Sequence, residues 1–115
     1  MKGFVDLIFE YQGRFYILDW KSNWLGPNPE SYSRTAMDAE MESKFYHLQL
    51  SIYTVALHRF LGARLAGYDY ETHFGGVFYL FLRGIDPARP ALGVWRTRPE
   101  ADVIKRLSRA FASSS

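Results

Sequence analysis

The chain has 115 residues, of which 48% are hydrophobic and 23% charged, enough for one globular domain with a core of its own. It contains no cysteine, which excludes a disulfide framework and a thiolate metal site. No apolar run approaches the roughly 18 residues of a membrane span, and the first residues carry no secretory pattern. A formal net charge of +2 permits a nucleic-acid partner without demanding one.

Met1-Lys2 leads straight into a strand-like run at Gly3–Phe9 with no opening element to cover it, so the chain reads as a fragment of a longer protein. Residues 3–11 and 14–21 form two β-rich runs around Gln12-Gly13, a hairpin signal. A two-residue loop pairs Tyr11 with Arg14 and, followed down the ladder, sets Asp6 opposite Asp19. Opposed like charges destabilise a ladder, so two carboxylates there call for a cation. Lys21 supplies one, on the same strand face as Asp19, and a divalent metal would supply more. Phe4, Ile8, Phe15 and Ile17 share that face and mark it as covered.

Gly26, Pro27 and Pro29 make residues 22–33 a loop, with Ser31 or Ser33 able to cap the next helix. Trp24 in this loop is either a clamp over the core, the commoner arrangement, or a surface on which a base can stack. A single long helix is expected over 34–65, with Met37, Met41, Phe45, Leu48, Ile52, Val55, Ala56, Arg59 and Phe60 as its core stripe. Gln49 and Tyr53 lie one turn apart beside that stripe. His47 and His58 are about three turns apart, too distant to share a metal.

Residues 68–73 read as a polar, aromatic connector. Phe74–Leu82 is a near-continuous apolar strand, of the kind buried on both faces. A Pro-containing loop, a short edge strand over 93–98, and a helix from Glu100 to Phe111 opened by Pro99 complete the pattern. One domain over 1–112 and a disordered tail at 113–115 are expected.

The series Gly3-Phe4-Val5-Asp6, Leu18-Asp19-Trp20-Lys21-Ser22-Asn23-Trp24-Leu25-Gly26, Gln49-Leu50-Ser51-Ile52-Tyr53 and Phe74-Gly75-Gly76-Val77 resembles the RecB-like branch of the PD-(D/E)XK, restriction-endonuclease-like nucleases. The resemblance runs from Gly3 to about Phe111. It implies an α/β core with a central mixed sheet flanked by helices, here with its N-terminal element missing. It implies a metal-dependent deoxyribonuclease of the exonuclease V type, in a bacterial helicase–nuclease that repairs double-strand breaks and degrades DNA. The implied partners are DNA, helicase domains of the parent chain and RecC- and RecD-type subunits; the implied location is the bacterial cytoplasm.

By the same resemblance, Asp6, Asp19 and the main-chain carbonyl of Trp20 would ligate one or two Mg²⁺ ions, for which Mn²⁺ or Ca²⁺ could substitute structurally. Lys21 would orient or help deprotonate the attacking water and stabilise charge on the phosphate, while Gln49 and Tyr53 would line the site and position DNA or the catalytic groups. The family takes one further ligand, a histidine, from upstream of the first strand, and none of His47, His58 or His73 stands in the matching place. Poor or no nuclease activity of the isolated chain and self-association through an uncovered face are therefore expected. Two other readings stay open: an incomplete nuclease-fold module that binds DNA or a partner without cleaving, and a single-strand binder stacking bases on Trp24, Tyr68 and Tyr70.

Overall fold

The computed structural model describes residues 7–114, with side chains described as far as Ala110. Strands β1 (Leu7–Tyr11) and β2 (Arg14–Lys21) form the expected hairpin, in the register Leu7↔Leu18 through Tyr11↔Arg14. Gln12 and Gly13 both take positive φ, 52° and 79°, the backbone of a two-residue turn whose twist matches that of the strands. Asp6, and with it the pairing proposed for Asp6 and Asp19, lies outside the described residues.

A loop with one 3-10 turn (Pro29–Tyr32) leads to α1 (Arg34–Ser43), whose first turn is capped by Ser33 Oγ accepting from Ala36 N. The single helix expected over 34–65 is two. The chain breaks at Lys44-Phe45, where Phe45 sits in the left-handed region at φ 59°, and α2 (Tyr46–Arg64) restarts on a new heading. The break also rotates the buried stripe. Met37, Met41 and Val55 are in the core as expected, but Phe45, Leu48, Ile52, Ala56, Arg59 and Phe60 face outward. Gln49, Leu50, Tyr53, Leu57 and Leu61 take the inner face of α2 instead.

The expected connector contains a one-turn helix, α3 (Tyr70–His73), capped by Asp69. Then come β3 (Phe74–Phe81), β4 (Val94–Thr97) at the sheet edge, and α4 (Ala101–Ser114), which starts behind Pro99 and runs past the expected end at Phe111. Sheet order is β1-β2-β3-β4, with β2 and β3 parallel and both outer pairs antiparallel. This is the mixed, helix-flanked sheet that the motifs implied.

Alternation along the strands separates the two faces. Ile17, Val77, Tyr79, Phe81 and Trp95 point into a core closed by Met37 and Met41 of α1, Leu50, Tyr53, Leu57 and Leu61 of α2, and Ile104 of α4. On the opposite face Phe9, Tyr16 and Phe78 stack in a row, with the Arg96 guanidinium 5.3 Å from the Phe78 ring. Phe78 and Leu80 are only half-buried, so β3 is fully enclosed on one face rather than two. Among the described residues no helix is long and apolar enough to cross a membrane.

Candidate active site

The candidate cluster lies at the C-terminal end of β2, near the start of α2. Asp19 and Lys21 share the inward face, and the residue directly beside Asp19 on β3 is Tyr79. Asp19 is 3% exposed. An isolated carboxylate so deeply placed would be strongly disfavoured. Lys21 answers it, with Nζ 3.2 Å from Asp19 Oδ2.

The Lys21 ammonium is held from several sides. It donates to Gln49 Oε1 at 3.2 Å, sits 4.4 Å from the Tyr46 ring centroid and 5.3 Å from that of Tyr79. Gln49 Oε1 accepts a second bond, from the Tyr79 hydroxyl at 2.6 Å. Burial, followed by the nearby Asp19, Tyr53 and Tyr46, pushes the Tyr79 phenol above its ordinary pKa, so it remains a donor throughout the neutral range. Tyr53, one turn on from Gln49, is buried on the same side of α2.

Direct contacts thus join Asp19, Lys21 and Gln49, and Tyr53 is buried one turn from Gln49, while Asp6 lies outside the described residues. Trp20 points its side chain to the other face, 47% exposed, which leaves only its main chain beside the cluster. Two aromatic residues of this site escaped sequence reasoning. Tyr79 sat in a run that is apolar at nearly every position, so alternation could not assign its face. Tyr46 became visible only with the helix break that turns it toward Lys21. Asn23 adds an outer brace, donating to Glu40 Oε2 at 2.6 Å and Tyr46 Oη at 3.1 Å.

The three histidines are engaged elsewhere. His47 meets Trp95 edge-on, His58 Nδ1 is 2.9 Å from the Tyr68 hydroxyl, and His73 Nδ1 accepts from Asp69 N. Trp24 is 64% exposed, so it does not clamp the core. Among the described residues no three His, Cys, Asp or Glu side chains gather as a metal cluster. The Asp19 carboxylate at the end of β2 is a hard oxygen donor, a chemistry that suits hard divalent cations rather than soft metals.

Residues 1–113 match the family model of the PD-(D/E)XK nuclease superfamily. The chain belongs to that superfamily. Its nucleases generally use divalent metal ions, in keeping with the oxygen donor at the end of β2. The chain is 53% identical over 112 residues to the RecBCD enzyme subunit RecB of Escherichia coli, covering 97% of this chain and 10% of the relative. It is 43% identical over 111 residues to the protein of the same name from Haemophilus influenzae, covering 96% and 9%. It is 41% identical over 121 residues to that from Mycolicibacterium smegmatis, covering 95% and 11%. The chain thus spans about a tenth of the length of the curated relatives it matches. The mixed, helix-flanked sheet described above is consistent with that superfamily.

Proposed function

We propose that this chain is the DNA-hydrolysing centre of a RecBCD-type bacterial helicase–nuclease, an Mg²⁺-dependent exodeoxyribonuclease that acts in double-strand-break repair and DNA degradation in the cytoplasm. The observation that carries this reading is the buried Asp19–Lys21 pair closed by Gln49 and Tyr79. A structural ion pair gains little from such placement, because burying two charges costs about as much as their attraction returns. A site built to act on a phosphodiester gains a fixed cation beside the metal-binding carboxylate.

Asp19, with Asp6 and the Trp20 carbonyl, would hold the ion. When bound, a divalent ion of this kind acidifies water and polarises a phosphoryl oxygen. The remaining work belongs to the chain. Lys21 faces the water and the phosphate with an ammonium whose position is set by Asp19 and Gln49, and it stabilises the charge that grows on the phosphate oxygens. Gln49 is held in turn by Tyr79, and Tyr53 walls the site on the α2 side. Partners on this reading are DNA, helicase domains of a longer parent chain, and RecC- and RecD-type subunits.

The test is degradation of linear DNA in Mg²⁺ by the longer polypeptide carrying this domain. Asp19→Asn and Lys21→Gln should each lower the rate by roughly 100-fold or more, the scale on which a single transition-state donor acts. Retention of more than a tenth of the wild-type rate in both variants would remove these residues from catalysis and the reading with them.

A further inference from the structure

A groove opens beside the site, between the loop that follows β2 and the turn that follows β3. Trp24, Pro27, Tyr32, Arg83, Asp86 and Leu92 line it, and its volume is about 570 Å³. That is within the range of sites that enclose a small organic group. The walls are firmly built. Tyr32 is buried, its hydroxyl accepts from Leu25 N at 3.1 Å, and its carbonyl accepts from Gly93 N at 3.0 Å. Gly84 lies so close over the Tyr32 ring that a Cβ there would stand 2.1 Å from Tyr32 Cγ. The turn is therefore laid directly on the ring.

Two groups on this groove are exposed, Trp24 and Arg83. The Trp24 indole is 64% exposed although it follows Lys21 by only three residues. Arg83 donates Nε–H to Ser22 O at 2.7 Å, one residue on from Lys21, and among the described residues its two terminal amino groups have no acceptor. Two acids lie nearby, and Asp86 keeps its charge on the groove wall. Asp86 Oδ1 accepts from Ala88 N, and Glu30 lies 3.8 Å from Arg89. An aromatic face and an anchored guanidinium, side by side, match a nucleobase and its phosphate.

Building on the nuclease reading, we propose that this groove holds an unpaired nucleotide of the DNA strand, its base stacked on Trp24 and its phosphate on Arg83. Trp24 lies at most about 11 Å from Lys21 along an extended chain. The groove thus engages the strand within a few nucleotides of the phosphate at Lys21. Bases inside a duplex have both faces stacked already, so the groove selects a strand that is single at that point.

The test is equilibrium binding of the 115-residue chain in EDTA, where no cleavage occurs, read by fluorescence anisotropy with a labelled oligothymidylate. A strand of equal length lacking bases and a blunt duplex serve as comparisons, and circular dichroism confirms that each variant is folded. Trp24→Ala should weaken oligothymidylate binding by roughly 10-fold or more, as loss of one stacked base predicts. Trp24→Phe should keep most of the affinity, and Arg83→Ala should weaken binding and flatten its salt dependence. Binding to the baseless strand should be indifferent to Trp24.

The proposal is overturned if the wild-type chain fails to bind oligothymidylate, if Trp24→Ala changes affinity less than twofold, or if the baseless strand binds as well. Trp24-dependent binding in a domain whose parent does not cleave DNA would remove the nuclease reading and leave the groove. Asp19-dependent cleavage with no role for Trp24 would do the reverse.

Discussion

Tyr79 donates its phenolic hydrogen to Gln49 Oε1 across 2.6 Å, tying the strand next to Asp19 to the helix that orients Lys21. The bond joins a residue from β3 to one from α2, so the ammonium's placement depends on how the sheet and the helix dock. Tyr79→Phe keeps the ring and removes only the donor. A stability loss of about 1 kcal/mol is expected, the usual net value of one such bond. Gln49 then loses one of two partners, and cleavage should fall further than stability does. Urea denaturation and the DNA-degradation rate, measured on the same preparation, separate the two effects.

The Asp19–Lys21 pair should show energetic coupling. Side-chain exposures of 5% and 15% place both charges largely out of water. Breaking a fully buried pair by removing one partner costs roughly 3–5 kcal/mol; with Lys21 partly exposed, Lys21→Met is expected near the lower end of that range. The double variant Asp19→Asn/Lys21→Met should be more stable than the sum of the single changes, because neither charge is left behind. A double-mutant cycle by chemical denaturation checks this, and strict additivity would show that the pair is not coupled.

Stability should decline at both ends of the pH scale through one contact. Burial, then Lys105 and Arg59, holds the pKa of His58 below its ordinary 6.5, so the folded state prefers neutral imidazole. The unfolded chain binds the proton more readily, and this contribution is complete above 6.5 and lost as pH falls through the folded value. Tyr68, bonded to His58 Nδ1, is pushed up to about 12, chiefly by burial and then by Asp69. Its contribution is complete below 10 and lost as pH rises toward 12. Thermal midpoints should therefore fall on the acid side of 6.5 and the alkaline side of 10. His58→Asn should flatten the first limb and Tyr68→Phe the second.

The bend between α1 and α2 places a bulky residue where the backbone favours glycine or asparagine. The left-handed conformation costs an ordinary residue about 1–2 kcal/mol, and Phe45, 75% exposed, recovers little of that through packing. Phe45→Asn should be neutral or stabilising by up to about 1 kcal/mol, read from the urea midpoint. A clear loss of stability would mean that the phenyl ring contributes more than its exposure indicates.

The hairpin and the Asp19–Lys21 face were legible because two independent signals agreed, alternation along each strand and the short Gln12-Gly13 loop. The break at Lys44-Phe45 was not, since neither residue is a helix breaker and apolar side chains continue on all sides of the segment. Phe45, Leu48 and Ile52 fit a helical period but belong to the outer face once the axis turns. Tyr79 was hidden for a related reason: in a strand with apolar residues at both parities, composition cannot say which side chain meets the helix. Trp24 stayed open between a clamp and a stacking surface, because a loop sequence does not say how far an indole is covered; at 64% exposure it is not a clamp.

A lysine ammonium is ordinarily a threefold rotor, spinning freely about its last carbon–nitrogen bond. In this protein one N–H is pinned on Gln49 Oε1, and that single bond fixes the azimuth of the other two. Tyrosine faces on two sides and the Asp19 carboxylate surround the other two. Lys21 therefore presents a direction as well as a charge. An arginine in its place would keep the charge, but its planar fork would aim its donors elsewhere.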